Sequence, residues 1–220
     1  MSVLRKVFFS VSFLFIIAAD WLMRLCSLLR SRKRIEKHLR RNRTVSKKAP
    51  ELGKKDGFIE DQRLLAGTYV FGRAASENLC GCVAVYNALV HLGHAVPLPD
   101  IIRDFEERGM LLSGRLGIAP SAVTQYFRKR GFPVKWFSGK AIANAPENGD
   151  CYILMGFNDE DHLFYGAHFM AVTVRNRQYS LHNTGMGSAV VSGSLREAIG
   201  SLRTGGRRFR PVYLLWIRNL

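Results

Sequence analysis

The stretch ENLCGCVAVYNALVHLG, residues 77–93, sets two cysteines either side of a glycine where a helical pattern begins. A thiol in the first turn of a helix lies among backbone N–H groups without intrahelical partners, and the positive end of the helix dipole favours its ionised form. Cys80 holds that place, SEN before it supplies capping residues, and Gly81 lets backbone or substrate come close. A thiolate nucleophile needs a base to exchange its proton and a third group to hold that base. YGAHFMAVTVRNRQYSLHNTG, residues 165–185, offers both. His168 opens one strand pattern after a small-residue turn, and Asn183 ends the next. A hairpin through RNR brings those ends to one edge, so that Asn183 can accept the ring proton of His168. From residues alone, a helix cysteine as a core residue and a pre-strand histidine as a satisfied structural residue stand beside the catalytic reading.

The other candidates sort by the same chemistry. Cys82 faces a different side of the helix and reads as a small buried core residue, and a Cys80–Cys82 disulfide would be strained at this spacing. His182 adjoins Asn183, but strand neighbours point to opposite faces, so only one of the two can look toward Cys80. His162, in the acidic stretch NDEDHLFYG, reads as solvated loop or a substrate contact. Cys26, Cys80, Cys82 and Cys151 form no Cys-x-x-Cys, and His91, His94, His162, His168 and His182 make no ligand pair with them. No metal and no cofactor is expected, and four scattered cysteines fit a reduced compartment better than a disulfide framework.

These groups need a scaffold. Apolar spacing through Val83, Tyr86, Leu89 and Leu92, ending at Gly93, predicts a helix over about 80–92. PLPDIIRDFEERGM, with Asp100 as a cap, and APSAVTQYFRKRG, with Pro120 and Ser121 at its start, predict two more. The period then shortens: 132–137, 151–157, 168–175, 178–183 and 212–218 are short, aromatic or β-branched, and bounded by turn signals. Trp136 and Trp216 read as sheet core. Helices followed by strands predict an α+β domain with a mostly antiparallel sheet.

The chain has 220 residues and 47% hydrophobic content, enough for one domain with a real core. Its net charge of +16 is unevenly placed: residues 1–55 carry 15 Lys/Arg against 3 Asp/Glu, residues 56–220 carry 18 against 14. The domain itself is therefore nearly balanced, and specific nucleic-acid binding is not expected despite GGRRFRP near the end. VFFSVSFLFIIAADWLM, residues 7–23, is apolar and at the short edge of a bilayer span. It reads as a membrane anchor, an interfacial helix, or a signal peptide cleaved after Ala19, which would make the protein secreted. Residues 24–48 hold 11 Lys/Arg and one acid, which favours keeping the C-terminal side in the cytoplasm and attraction to an anionic membrane surface. The expected division is an anchor or signal-like segment at 1–30, a basic linker at 31–57 ending in the Pro/Gly-containing SKKAPELGKKDG, and the domain at 58–220.

NLCGCVAVYNALVHLG, GIAPSAVTQYFRKRGFPV, AHFMAVTV and YSLHNTG together resemble the papain-like cysteine peptidases of the bacteriocin-leader-processing (double-glycine peptidase) type and their stand-alone relatives, from about residue 65 to 220. The resemblance implies a papain-like fold, with N-terminal helices packed on a mostly antiparallel sheet, and Cys80 as nucleophile, His168 as base and Asn183 as orienting residue. The substrate implied is a peptide or another amide. Alternatives are a silent peptide-binding module of the same fold and an acyltransferase using the same triad. A papain-type Cys-Gly-x-Cys frame with Cys82 as nucleophile would need one more residue between the cysteines. The family's usual oxyanion glutamine is missing, because Ala74 stands six residues before Cys80. Asn78 is the candidate amide for that hole; Gln62, the nearest glutamine upstream, is not given the role. Losing such a donor costs about 10²–10³ in rate.

Overall fold

The computed structural model describes residues 18, 21–22, 31–72, 74–75, 78–111, 114, 116–158, 167–204 and 207–220. Most of segment 1–30, the capping residues at 76 and 77, and His162 lie outside them. Among the described residues, no helix is long and apolar enough to cross a membrane.

The chain opens with α1 (Arg32–Lys48), followed by the small hairpins β1 (Lys54–Lys55) with β2 (Phe58–Ile59) and β3 (Val70–Phe71) with β4 (Ala74–Ala75). Three helices follow: α2 (Cys80–His91), α3 (Leu98–Arg108) and α4 (Pro120–Arg128). The second half is sheet, comprising β5 (Val134–Ser138), β6 (Cys151–Asn158), β7 (Ala167–Arg175), β8 (Gln178–His182), β9 (Val190–Ser192), β10 (Arg203–Thr204) and β11 (Arg207–Ile217), with α5 (Leu195–Ser201) between β9 and β10. The spatial order is β10-β11-β6-β7-β8-β9, β5 also pairs with β11, and all pairings are antiparallel. The arrangement is the expected α+β class of mixed helices and an antiparallel sheet.

Both faces of the sheet are covered, which is why its strands read as near-continuous apolar runs. Ile153, Met155, Phe169, Ala171 and Leu215 face the helices, while Tyr152, Leu154, Met170, Val172 and Leu214 pack beneath α5 and the short 3-10 helix Gly139–Asn144. α2 is buried on every side from Cys80 to Leu89 and lies against β7, as a helix apolar all round must. Trp136 corrects an expectation. It sits on β5, which pairs only with β11 among the described strands, and is 46% exposed, whereas Trp216 packs against the second core.

Two local features shape the region around the first residues of β7. β11 carries an irregularity between Pro211 and Tyr213, where a residue without an N–H is tolerated. Gly156 lies opposite both Pro211 and His168, and a Cβ there would run into the Arg210 carbonyl. The β7–β8 turn places Asn176 and Arg177 at φ of 50° and 61°, the two left-handed positions of a tight hairpin.

The segment read as a basic linker is in part a docked helix. α1 buries Ile35, Leu39 and Asn42 against α3 and β3, and its charged residues point outward. The Asn42 amide donates to the Val70 carbonyl at 2.9 Å and its side-chain oxygen accepts from the Val70 N–H at 2.8 Å. His38 Nδ1 meets Glu106 Oε1 at 2.7 Å, and the same oxygen accepts from the Gly72 N–H at 2.6 Å. The 3–4 spacing of Ile35, Leu39 and Asn42 is present in the sequence but submerged in charge. Replacing Asn42 by Ala strands both Val70 groups and is expected to cost about 1–3 kcal/mol in urea unfolding; an unchanged midpoint would mean that α1 is not docked in solution.

Candidate active site

Cys80 is the first residue of α2. Leu79 occupies the cap position and its side chain makes no cap hydrogen bond, while Ser76 and Glu77 of SEN lie outside the described residues. Packing fixes the helix start, since a Cβ at Gly81 would collide with the Ile118 side chain; the close approach seen at Gly81 is made by Ile118. Burial pushes the Cys80 thiol above its ordinary pKa, opposed by the backbone N–H groups of Phe169, Gly81 and Cys80 that point at it. Helix-end stabilisation is therefore present, but at 8% exposure desolvation outweighs it. The thiol thus meets β7 at Phe169, the residue after His168.

His168 is half-buried near the start of β7, and burial pushes its pKa below the ordinary imidazole value while its hydrogen bond to Asn183 opposes the shift. That bond, 2.7 Å long, joins ring Nε2 to the main-chain carbonyl of Asn183. A carbonyl oxygen only accepts, so Nε2 carries a hydrogen and, in the neutral ring, Nδ1 holds the lone pair.

Asn183 therefore meets His168 as the sequence suggested, but through its backbone rather than its side chain. The register pairs Ala171 with His182, so Asn183 is the first residue beyond β8, and its φ of 63° turns the chain there. Asparagine tolerates this left-handed conformation better than most residues. Its side chain points elsewhere: Oδ1 accepts from the Gln62 N–H at 3.0 Å and Nδ2 donates to Gln62 Oε1 at 2.8 Å. Gln62, set aside as an oxyanion donor, is a clamp on this residue.

The clamp belongs to a strap formed by residues 58–63. Glu60 Oε1 pairs with His182 Nδ1 at 2.6 Å, and Glu60 Oε2 accepts from the Asn183 N–H at 3.4 Å. His182 Nε2 meets the Thr173 hydroxyl at 2.9 Å, and Phe58 stacks on the imidazole with centroids 4.3 Å apart. Arg63 donates to the Gly185 carbonyl at 3.1 Å. His182, on the opposite strand face from its neighbours, is thus a buried structural partner. Sequence reasoning missed Glu60: it lies more than 120 residues from its partners, just after a two-residue strand with no periodic signal.

Asn78 donates through Nδ2 to the Gly114 carbonyl at 3.3 Å, tying the helix start to the segment between α3 and α4. Cys82 and Cys151 are both fully buried with thiols pushed up by desolvation, and Cys80, Cys82 and Cys151 are free thiols. Among the described residues no three His, Cys, Asp or Glu side chains gather as metal ligands. Two surface pockets lie away from Cys80, one between α3 and α4 around Tyr126 and one around Tyr69 and Tyr86.

No protein-family model matches the chain, and no curated protein matches it. Among solved structures it is similar to the peptidase domain of Streptococcus ComA, a bi-functional ABC transporter involved in a quorum sensing pathway. The identity is 10%, covering 66% of this chain and 94% of that one, at a TM-score of 0.43. The helices and antiparallel sheet are those of an α+β domain.

A thiol shifted up and an imidazole shifted down both favour the neutral pair over a standing thiolate–imidazolium pair. At pH 7 the thiolate fraction of Cys80 is then below that of an ordinary cysteine. Its alkylation by iodoacetamide is expected to climb with pH through and beyond the ordinary thiol range without a plateau near neutrality, still ahead of Cys82 and Cys151. Peptide mapping across a pH series checks this; a flat rate from pH 6 to 8 would mean a preformed ion pair.

Proposed function

We propose that the protein is a thiol hydrolase acting on a peptide or another amide, with Cys80 as nucleophile, His168 as general base and Asn183 as the residue that orients the base. The observation that carries this reading is the fixed ring of His168: its Nε2 hydrogen is spent on the Asn183 carbonyl, leaving Nδ1 basic, while the thiol lies against the next residue of the same strand. Nδ1 takes the thiol proton as Sγ adds to the substrate carbonyl. The backbone N–H of Cys80, at the helix start, is the proposed donor to the tetrahedral oxyanion. The ring then gives its proton to the leaving amine, and a thioester remains on Cys80. Water, deprotonated by the same Nδ1, adds to the thioester; collapse releases the acid and returns the thiol. Because thiol and imidazole are neutral at rest, the first proton transfer accompanies attack.

Asn78 is assigned to shaping the helix start through Gly114 rather than to donating to the oxyanion. An amine in place of water would turn the same thioester into acyl transfer. The raised thiol pKa favours one further reading, a silent module of the same fold that binds a peptide.

Release of new amino termini from a degenerate peptide mixture tests the assignment. Cys80→Ala and His168→Ala are expected to abolish turnover. Asn183→Ala keeps the carbonyl but loses the Gln62 clamp and the ease of the left-handed turn, with an expected fall of about 10–100-fold in kcat. Cys82→Ala is expected to lower stability and spare turnover. Turnover that survives Cys80→Ala would overturn the nucleophile assignment, and a folded wild type without turnover on any peptide or amide would favour the binding module.

A further inference from the structure

We propose that the outer face of α1 is a docking surface for an anionic lipid bilayer, and that it holds the domain at a fixed orientation to that bilayer. A helix of this length runs about 25 Å. Ile35, Leu39 and Asn42 define its inner side. Lys33, Lys37, Arg40 and Lys48, spaced by turns of the helix, fall on the opposite side, and all are exposed. Among the described residues no acid of the domain pairs with this stripe: of the Lys and Arg residues of α1, Arg43 meets Asp100 at 2.7 Å on the flank, and the His38 ring meets Glu106 on the inner side.

Two features choose the bilayer over a nucleic acid. The apolar run 7–23 lies a few residues upstream in the same chain, so that α1 begins beside whatever that run enters. The stripe is also a convex helix face with no aromatic ring to stack on bases, and the sole ring of α1, His38, is turned inward to Glu106. Charge alone attracts each cation to an anionic leaflet.

Docking turns attraction into orientation. A flexible basic arm would tether the domain in any attitude, whereas α1 is fastened to Val70 through Asn42 and to the Gly72 N–H through Glu106 and His38. Those residues belong to the hairpin that leads to Cys80. A bilayer on the outer face of α1 thus fixes how the candidate site is presented. This inference is independent of whether the site hydrolyses or only binds.

Flotation of the full-length chain with vesicles of phosphatidylcholine, with and without phosphatidylglycerol, tests it. Wild type is expected to bind the anionic vesicles more tightly, the difference shrinking in high salt. The variant K33Q/K37Q/R40Q/K48Q is expected to lose at least about 100-fold of that anionic preference and to keep the residual binding to neutral vesicles that the apolar run supplies. R175Q/R177Q, which removes exposed cations at the β7–β8 turn, serves as control and is expected to keep the preference. Circular dichroism and urea unfolding confirm that the variants fold. Equal binding of wild type to both vesicles, retention of the preference by the quadruple variant, or an effect on RNA binding with none on vesicles would overturn the proposal.

Discussion

The orientation of His168 depends on one hydrogen bond, from its Nε2 to the main-chain carbonyl of Asn183. A carbonyl is a more constrained partner than a side-chain amide, because it cannot flip to offer a donor and its direction is set by the backbone. That direction is set in turn by a left-handed residue at the end of β8. Everything that stabilises Asn183 at φ of 63° therefore also aims the imidazole and fixes its tautomer.

The surrounding structure over-determines this turn. Gln62 pairs with both ends of the Asn183 amide, Glu60 accepts from its N–H, and Arg63 holds the Gly185 carbonyl beyond it. Glu60 is itself held by His182, which Thr173 and Phe58 lock from two further sides. A buried polar network of this kind is stabilising only while its members are satisfied, and it rigidifies what it touches. The strap that supplies it comes from the start of the domain, and the next hairpin is held by Asn42 of α1 and by Glu106 of α3, which His38 of α1 meets. The N-terminal third of the described chain thus braces the residues around the proposed base and nucleophile.

Much of this scaffold was legible in the sequence where a local rule governs. α2 showed itself because apolar residues surround it and Gly93 stops it, and the β7–β8 hairpin because Asn176 and its neighbour accept left-handed angles. The strands of the sheet stood out as aromatic and β-branched runs, although Trp136 faces outward, because an edge position is a property of topology and not of composition. Three features were beyond local rules. The backbone route from Asn183 to His168 depends on a register that places the residue just past a strand end. Glu60 and Gln62 act across more than 120 residues. α1 hides a three-residue inner face within a run of cations, so charge announces a linker where packing makes a helix. The pKa of Cys80 is a further case, since a helix start argues for a low value and burial reverses the sign.

The central claim is that Cys80 forms a covalent bond to an acyl group with His168 as its base. The direct measurement is acid quenching of the wild-type protein after brief mixing with an activated ester of an acylated amino acid, followed by peptide mapping in the mass spectrometer. The account predicts an acyl adduct on Cys80 that is absent from Cys82 and Cys151 and disappears in His168→Ala. An adduct on another cysteine, or an equal yield on Cys80 without His168, would contradict it.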